Sequence, residues 1–335
     1  MKMKKIRIIL WAGIILIFNT CQKENIDQSG FEDALTVAAG VEAENLMPLL
    51  ERLVEVHLGD TPIDNTDFPP HDLFPSDHLT RNAAVGFLAD AFRSVGYVPD
   101  TLVLGEGNLI TYNVFAELPG TTFPHEVILV GCHIDAFYGG ADDNGSAVTA
   151  MLEAARTVRG FSFARTIRFI AFDLEELGSV GSTRYVEAGY ASDVEAAIIM
   201  DLVGYRSFEP GSQENVMGIT LPDVGDYLMV VGNKDSEEIT RQITAMANSA
   251  SLSKSQGVLA PGDGAYFLSQ ALMRSDHGLM WYKGIPAVFF TDGANFRNPH
   301  YHLESDLPGT IDAEFLAGNT RVLTAAIALL AEVEL

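Results

Sequence analysis

The chain has 335 residues, 47% of them hydrophobic, enough to bury a large core and to exclude global disorder. Its 21 basic residues face 45 acidic ones, a net charge of −24, which excludes a nucleic-acid binder and a protein held to anionic lipid by a basic face. Cys21 and Cys132 are its only cysteines, so there is no disulfide scaffold.

Lys2, Lys4, Lys5 and Arg7 precede an uncharged run, Ile8–Phe18. That run suits a signal sequence and is too short for a spanning helix, which takes about 20 residues. It ends at Phe18-Asn19-Thr20-Cys21 and resembles a bacterial lipoprotein signal, although Phe18 and Thr20 stand where Leu and a small residue are usual. An ordinary secretory signal is the alternative. On the lipoprotein reading, residues 1–20 are removed and residues 21–30 form a polar tether. Cys21 anchors the protein to a bacterial membrane, facing the periplasm or the cell surface, as its only membrane contact. The mature charge would be −28, since the leader holds four basic residues and no acidic one.

Residues 31–335 read as one α/β domain, because helical and extended patterns alternate without a second linker or a repeat. Helices are expected at Glu42–His57, Thr80–Val95, Asn144–Val158, Gly181–Ala188, Ser236–Ala250 and Asp312–Val333. Strands are expected at Leu109–Leu118, Glu126–Cys132, Thr166–Phe172, Ala196–Met200, Tyr227–Val231 and Ala287–Thr291, the first two separated by the turn Pro119-Gly120. Continuous apolar strands between helices predict a mostly parallel, twisted central sheet with helices on both faces. Ligands of such sheets bind beyond the carboxyl ends of the strands.

Those ends carry metal-type side chains. The strand through Val127–Gly131 leads into Cys132-His133-Ile134-Asp135, and the loop Gly139–Ser146 follows with Asp142 and Asp143. Thr166–Phe172 runs into Asp173-Leu174-Glu175-Glu176, Ala196–Met200 into Asp201, and Pro299–Asp306 follows the Ala287–Thr291 strand. Singly, each acid would be a solvated or helix-capping residue. Gathered at one edge, they would repel one another without a cation between them.

Taken in order, His133-Ile134-Asp135, Gly140–Ser146, Glu175–Gly178 with Gly181-Ser182, Asp201, Ser275-Asp276-His277, and Tyr301-His302 with Asp306 resemble the dizinc exopeptidase family of the bacterial leucyl-aminopeptidase type. Ala147 departs from the glycine frequent in that family. The resemblance implies a zinc-exopeptidase-like α/β/α sandwich and two zinc ions, for which Co²⁺ or Mn²⁺ could substitute at the same N and O donors. It implies metal ligation by His133, Asp143, Glu176, Asp201 and His302, with Asp143 bridging ions about 3.5–4 Å apart. Asp135 would orient His133, Glu175 would be the general base acting on the metal-bridged hydroxide, and Tyr301 could donate to the oxyanion. It further implies a cis peptide between Asp143 and Asn144. The five ligands should converge on a common centre.

The implied activity is removal of N-terminal residues from peptides. Alternatives are a single-zinc glutaminyl cyclase, a carboxypeptidase or amidohydrolase on the same scaffold, and a non-catalytic surface-binding lipoprotein. Cyclases depart from the GADDNGS run and insert residues after the Glu pair, and this chain does neither; a degenerate binding protein would lack ligands, and none is missing. Asp142 is expected to stabilise the loop, and Asp276 and His277 to support the pocket. His300 lacks a ligand role, and His57, His71, His78 and His125 have no motif context. The pocket should be built from Val203–Tyr227 and Leu252–Tyr282. Side-chain preference, end specificity and oligomeric state are not legible.

Overall fold

A computed structural model describes residues 17–18, 26–63, 78–106, 110–216, 219–261 and 267–335. The basic leader, Cys21 and His71 lie outside the described residues. One sheet contains β1 (Ile17–Phe18), β2 (Asp100–Leu104), β3 (Thr111–Leu118), β4 (Phe123–His133), β5 (Arg165–Phe172), β6 (Val194–Met200), β7 (Leu228–Gly232), β8 (Ser255–Leu259) and β9 (Ala287–Thr291). Their order across the sheet is β1-β8-β7-β9-β6-β4-β5-β3-β2.

The block β9, β6, β4 and β5 is parallel throughout, and β7 is parallel to β8. The pairs β1/β8, β7/β9, β5/β3 and β3/β2 are antiparallel. The sheet is therefore mixed, parallel at its centre rather than mostly parallel. One reason is the length of the connection after β3. Residues 119–122 are too few for the crossover of a dozen or more residues that returns a strand to the same direction, so β4 runs opposite to β3. The two do not pair, because β5 lies between them. The short loop instead crosses the start of β5: Gly120 N donates to Thr166 Oγ1 at 2.9 Å and Thr121 N to the Phe163 carbonyl at 2.9 Å.

Alternation along β4 sends Ile128, Val130 and Cys132 into one apolar layer and Val127 and Leu129 into the other. The first layer is completed by α1 (Phe31–Ala38), α2 (Leu46–Gly59), α3 (Asn82–Ser94), α4 (Ala147–Val158), α6 (Glu237–Ser249) and α8 (Ala313–Leu330). The second takes Tyr185 and Val186 from α5 (Val180–Glu187), and Met280 and Trp281 from α7 (His277–Tyr282). By length and composition α8 could cross a membrane, yet most of it is buried and it packs against α1 and α4 as a core helix. Cys132 is a buried free thiol beside Met151. The parallel block brings the carboxyl ends of β4, β5 and β6 to one edge, with His133 of β4 level with Phe172 of β5.

Candidate metal centre

His133 is the last residue of β4, and Asp201 follows β6 directly. Glu175 and Glu176 lie just beyond β5, Asp143 in the wound turn Ala141–Ser146 ahead of α4, and His302 in the segment after β9. The structure brings all five expected ligands together. His133 Nε2 lies 3.2 Å from Asp143 Oδ1 and 3.3 Å from Asp201 Oδ1. His302 Nε2 lies 3.0 Å from Asp143 Oδ2 and 3.0 Å from Glu176 Oε2. Asp143 thus turns one oxygen to each imidazole, and the donor atoms of His133, Asp143 and Glu176 lie within 4.8 Å of one another. Glu175 also joins His133 and Asp201 in a group whose donor atoms lie within 4.8 Å of one another.

Local backbone chemistry makes this convergence. Gly140 adopts φ +53°, and a Cβ there would run into Ala136 and the Asp143 carbonyl, so only glycine fits the turn. The Asp143–Asn144 peptide is cis. Asn144 spans the end of β6, donating from Nδ2 to the Met200 carbonyl at 3.1 Å and accepting from Leu202 N at 3.2 Å. Ser146 Oγ accepts from Val203 N at 3.0 Å, and Asp142 Oδ1 from Gly204 N at 2.9 Å. Together these bonds fix Asp143 relative to Asp201. Asp306 ties the same turn to the His302 segment, its carboxylate accepting from the backbone N–H groups of Asp142 (2.9 Å) and Asp143 (3.0 Å). Leu174, Leu202 and His302, all beside or among the ligands, hold left-handed φ values of 56–59°, a conformation costing an L-residue on the order of 1 kcal/mol.

Asp135 is placed differently from the expectation that its carboxylate orients His133. The imidazole Nδ1 lies 3.0 Å from the Asp135 carbonyl and 3.6 Å from its carboxylate. The carboxylate accepts from Glu175 N at 3.0 Å and Glu176 N at 3.1 Å, holding the residues after β5. With Nδ1 donating to the carbonyl, Nε2 is left as the ligating atom. The Ser179 hydroxyl donates to Glu175 Oε1 at 3.1 Å.

The donor set fits a divalent cation. The five candidate ligands are buried, and the ion-pair contacts described for them are to one another and to Asp135, with no lysine or arginine among them. Glu176 Oε1 is buried with no hydrogen-bond partner among the described residues. Burial, reinforced by the Asp143 charge, pushes the Glu176 carboxyl up to about 7. Burial likewise pushes Glu175 well above its usual range; His133 pulls it down, and Asp201, Asp276 and Glu176 push it further up. Burial disfavours a charged His302, yet Glu176 and Asp143 override it and lift the ring to about 10. Such shifts mark carboxylates and imidazoles crowded without a counter-ion. Nitrogen and oxygen donors of this kind suit zinc.

The remaining candidates are held by partners outside the five-residue cluster or pack against it. His277 stacks on Phe289 with centroids 4.1 Å apart, its Nε2 lying 2.6 Å from the Leu272 carbonyl, and Asp276 accepts from Ser182 of α5 at 2.5 Å. Asp142 braces the loop, accepting from Asn298 Nδ2 at 2.6 Å. His300 faces Ser305, His57 is buried against Thr80, and His78 stacks on Tyr138. Tyr301 stacks on His302 with ring centroids 3.7 Å apart. Sequence reasoning missed Ser179 and Arg274. The latter donates to Tyr301 Oη at 3.3 Å and to Asn295 Oδ1 at 2.7 Å. Beside Asp201 and Tyr301 an apolar recess opens, lined by Val216, Met229, Leu272, Phe289 and Phe296.

Buried imidazoles and carboxylates converging at the carboxyl edge of an α/β sheet define a metallohydrolase-type centre. The model of peptidase family M28 matches residues 113–327, spanning every candidate ligand, and the chain belongs to that family. It is 29% identical over 260 residues to the uncharacterized protein YfbL of Escherichia coli, covering 72% of this chain and 77% of that one. It is 34% identical over 119 residues to aminopeptidase YwaD of Bacillus subtilis, covering 34% of this chain and 26% of YwaD. Its fold resembles the LapA aminopeptidase of Legionella pneumophila, with TM-score 0.66, 19% identity and coverage of 94% and 79% of the two chains. It also resembles a zinc aminopeptidase from Bacillus subtilis, with TM-score 0.52 and 25% identity over 65% of this chain and 50% of the other. The chain thus spans half or less of the B. subtilis enzymes it matches.

Proposed function

We propose that this protein is a zinc-dependent aminopeptidase that holds two metal ions and removes N-terminal residues from peptides. The observation that carries the reading is Asp143, whose two carboxylate oxygens face His133 and His302 separately at 3.2 and 3.0 Å. A bridging carboxylate is what two adjacent cations require. His133, Asp143 and Asp201 would hold one ion, and Asp143, Glu176 and His302 the other. When bound, zinc supplies Lewis acidity and makes water a better nucleophile at neutral pH.

The chain's own residues do the rest. Glu175 takes a proton on its carboxylate from the attacking water and passes it to the leaving amine. Ser179 and Asp135 hold Glu175 in place. Burial holds the Tyr301 phenol protonated, since its pKa lies well above the usual value. Because its oxygen accepts from Arg274, the phenolic hydrogen is free to point at the substrate carbonyl oxygen. The names of the aminopeptidase relatives support the choice among family activities. Lipidation at Cys21, supported by the leader pattern, would remove residues 1–20 and with them the edge strand β1, and would hold the enzyme on a bacterial membrane with its site facing peptides in the periplasm or outside the cell.

The test is a panel of peptides with free, blocked and glutamine N-termini, with and without a chelator. Hydrolysis confined to free N-termini and abolished by chelation is expected. Cleavage of blocked peptides from the other end would instead support a carboxypeptidase, and cyclisation of the glutamine peptides a cyclase.

A further inference from the structure

Arg274 is the one basic residue lining the recess beside Asp201 and Tyr301 among the described residues. It is exposed, and its guanidinium touches only neutral acceptors there: Asn295 Oδ1 at 2.7 Å and Tyr301 Oη at 3.3 Å. No carboxylate pairs with it among the described residues, in a chain where acids outnumber bases 45 to 21. A guanidinium has five N–H donors arranged to grip a carboxylate, and two acceptors leave most of them unused. The same recess is also lined by Asp201, one of the clustered acids, and by Tyr301, which stacks on His302. The one recess therefore combines an acid of the cluster, apolar walls and a basic group.

We propose that Arg274 is a specificity-determining residue that binds a substrate carboxylate just beyond the scissile bond. The proposal rests on the aminopeptidase reading and adds a substrate class: short peptides bearing a carboxylate near the cleaved bond. Such a group has two sources, the free C-terminus of a dipeptide or an acidic side chain at the second position. In either case the substrate amine is turned toward the clustered acids and the carboxylate toward Arg274. The tie from Arg274 through Tyr301 to His302 places this contact one residue away from the ligands. A charge-assisted bond of this kind changes affinity by roughly tenfold or more.

The Glu175→Gln holoenzyme, which should bind peptides without turning them over, is titrated calorimetrically with Leu-Gly, Leu-Gly-amide and Leu-Glu-amide. Leu-Gly should bind at least about tenfold more tightly than its amide, by a margin that shrinks with added salt. The margin should vanish in the Glu175→Gln/Arg274→Gln variant and partly return with Arg274→Lys. Leu-Glu-amide binding as tightly as Leu-Gly assigns the site to side-chain carboxylates as well; binding like Leu-Gly-amide assigns it to the free C-terminus. Equal affinity for the acid and both amides, or a margin that survives loss of Arg274, overturns the proposal. Hydrolysis of the same three peptides by the unmodified enzyme is followed in parallel. A carboxylate preference in binding with no hydrolysis would sink the peptidase reading and leave the carboxylate site standing.

Discussion

Two carboxylates at the centre carry opposite expectations when altered. Glu175 is proposed to exchange protons with water, so Glu175→Gln should lower kcat at least about 100-fold while zinc per chain stays near that of the unaltered protein. Asp143 faces both imidazoles, so Asp143→Ala should lose metal and activity together. Metal analysis and turnover on an unblocked peptide separate the cases; if Glu175→Gln loses metal, the two glutamates exchange roles. At this scale the sequence was informative because ligand chemistry restricts residue type, so His133, Asp143, Glu176, Asp201 and His302 stood out by kind and order. What Asp135 grips was hidden. Its bonds reach Glu175 N and Glu176 N, backbone groups that no side-chain pattern reveals. Arg274 was hidden because an arginine has no meaning until its neighbours are known to be neutral.

Among the elements, the loop after β3 makes the sharpest demand. A Cβ on Gly120 would lie 2.5 Å from the Arg165 carbonyl carbon and 2.6 Å from the Ala164 oxygen, both backbone atoms that cannot step aside. Gly120→Ala should therefore destabilise the fold by about 1–3 kcal/mol, the usual cost of overpacking. Urea unfolding at saturating zinc measures it, and an unchanged midpoint would mean that the loop moves freely. Periodicity located most long elements. The expected Thr80–Val95 helix is observed as Asn82–Ser94, and Leu109–Leu118 as the strand Thr111–Leu118. The Asn144–Val158 helix begins later, at Ala147, because Asp143 and Asn144 hold non-helical angles. Strands β2 and β8 and helices α1 and α7 escaped notice. β8 is Ser-Gln-Gly-Val-Leu, with Gly257 close against Thr244, so it shows no apolar alternation. β2 is a partly exposed edge strand, and α1 has only eight residues.

For the molecule as a whole, buried neutral histidines tie stability to pH. Burial pushes His57 down to about 4, against the pull of Asp135 and Asp60. In the unfolded chain that ring titrates near pH 6.5. Between those values the unfolded state binds a proton the folded state refuses, so this contribution is complete above about pH 6.5 and is lost as the pH falls toward 4, on the order of 3 kcal/mol. The stability advantage of the unaltered protein over His57→Gln should therefore shrink from pH 7 to pH 4.5; a gap that stays constant would show that the ring does not titrate as described. The α/β class was legible from strand and helix alternation, but the mixed sheet was not, because strand order depends on which chains cross which. Asp306 gripping the Asp142–Asp143 turn has a consequence in time. The centre is closed only when residues near 300 have docked on residues near 140, after most of the polypeptide has been synthesised and threaded into the sheet. A half-made chain would lack His302, so completion of the second proposed metal position should report a finished molecule.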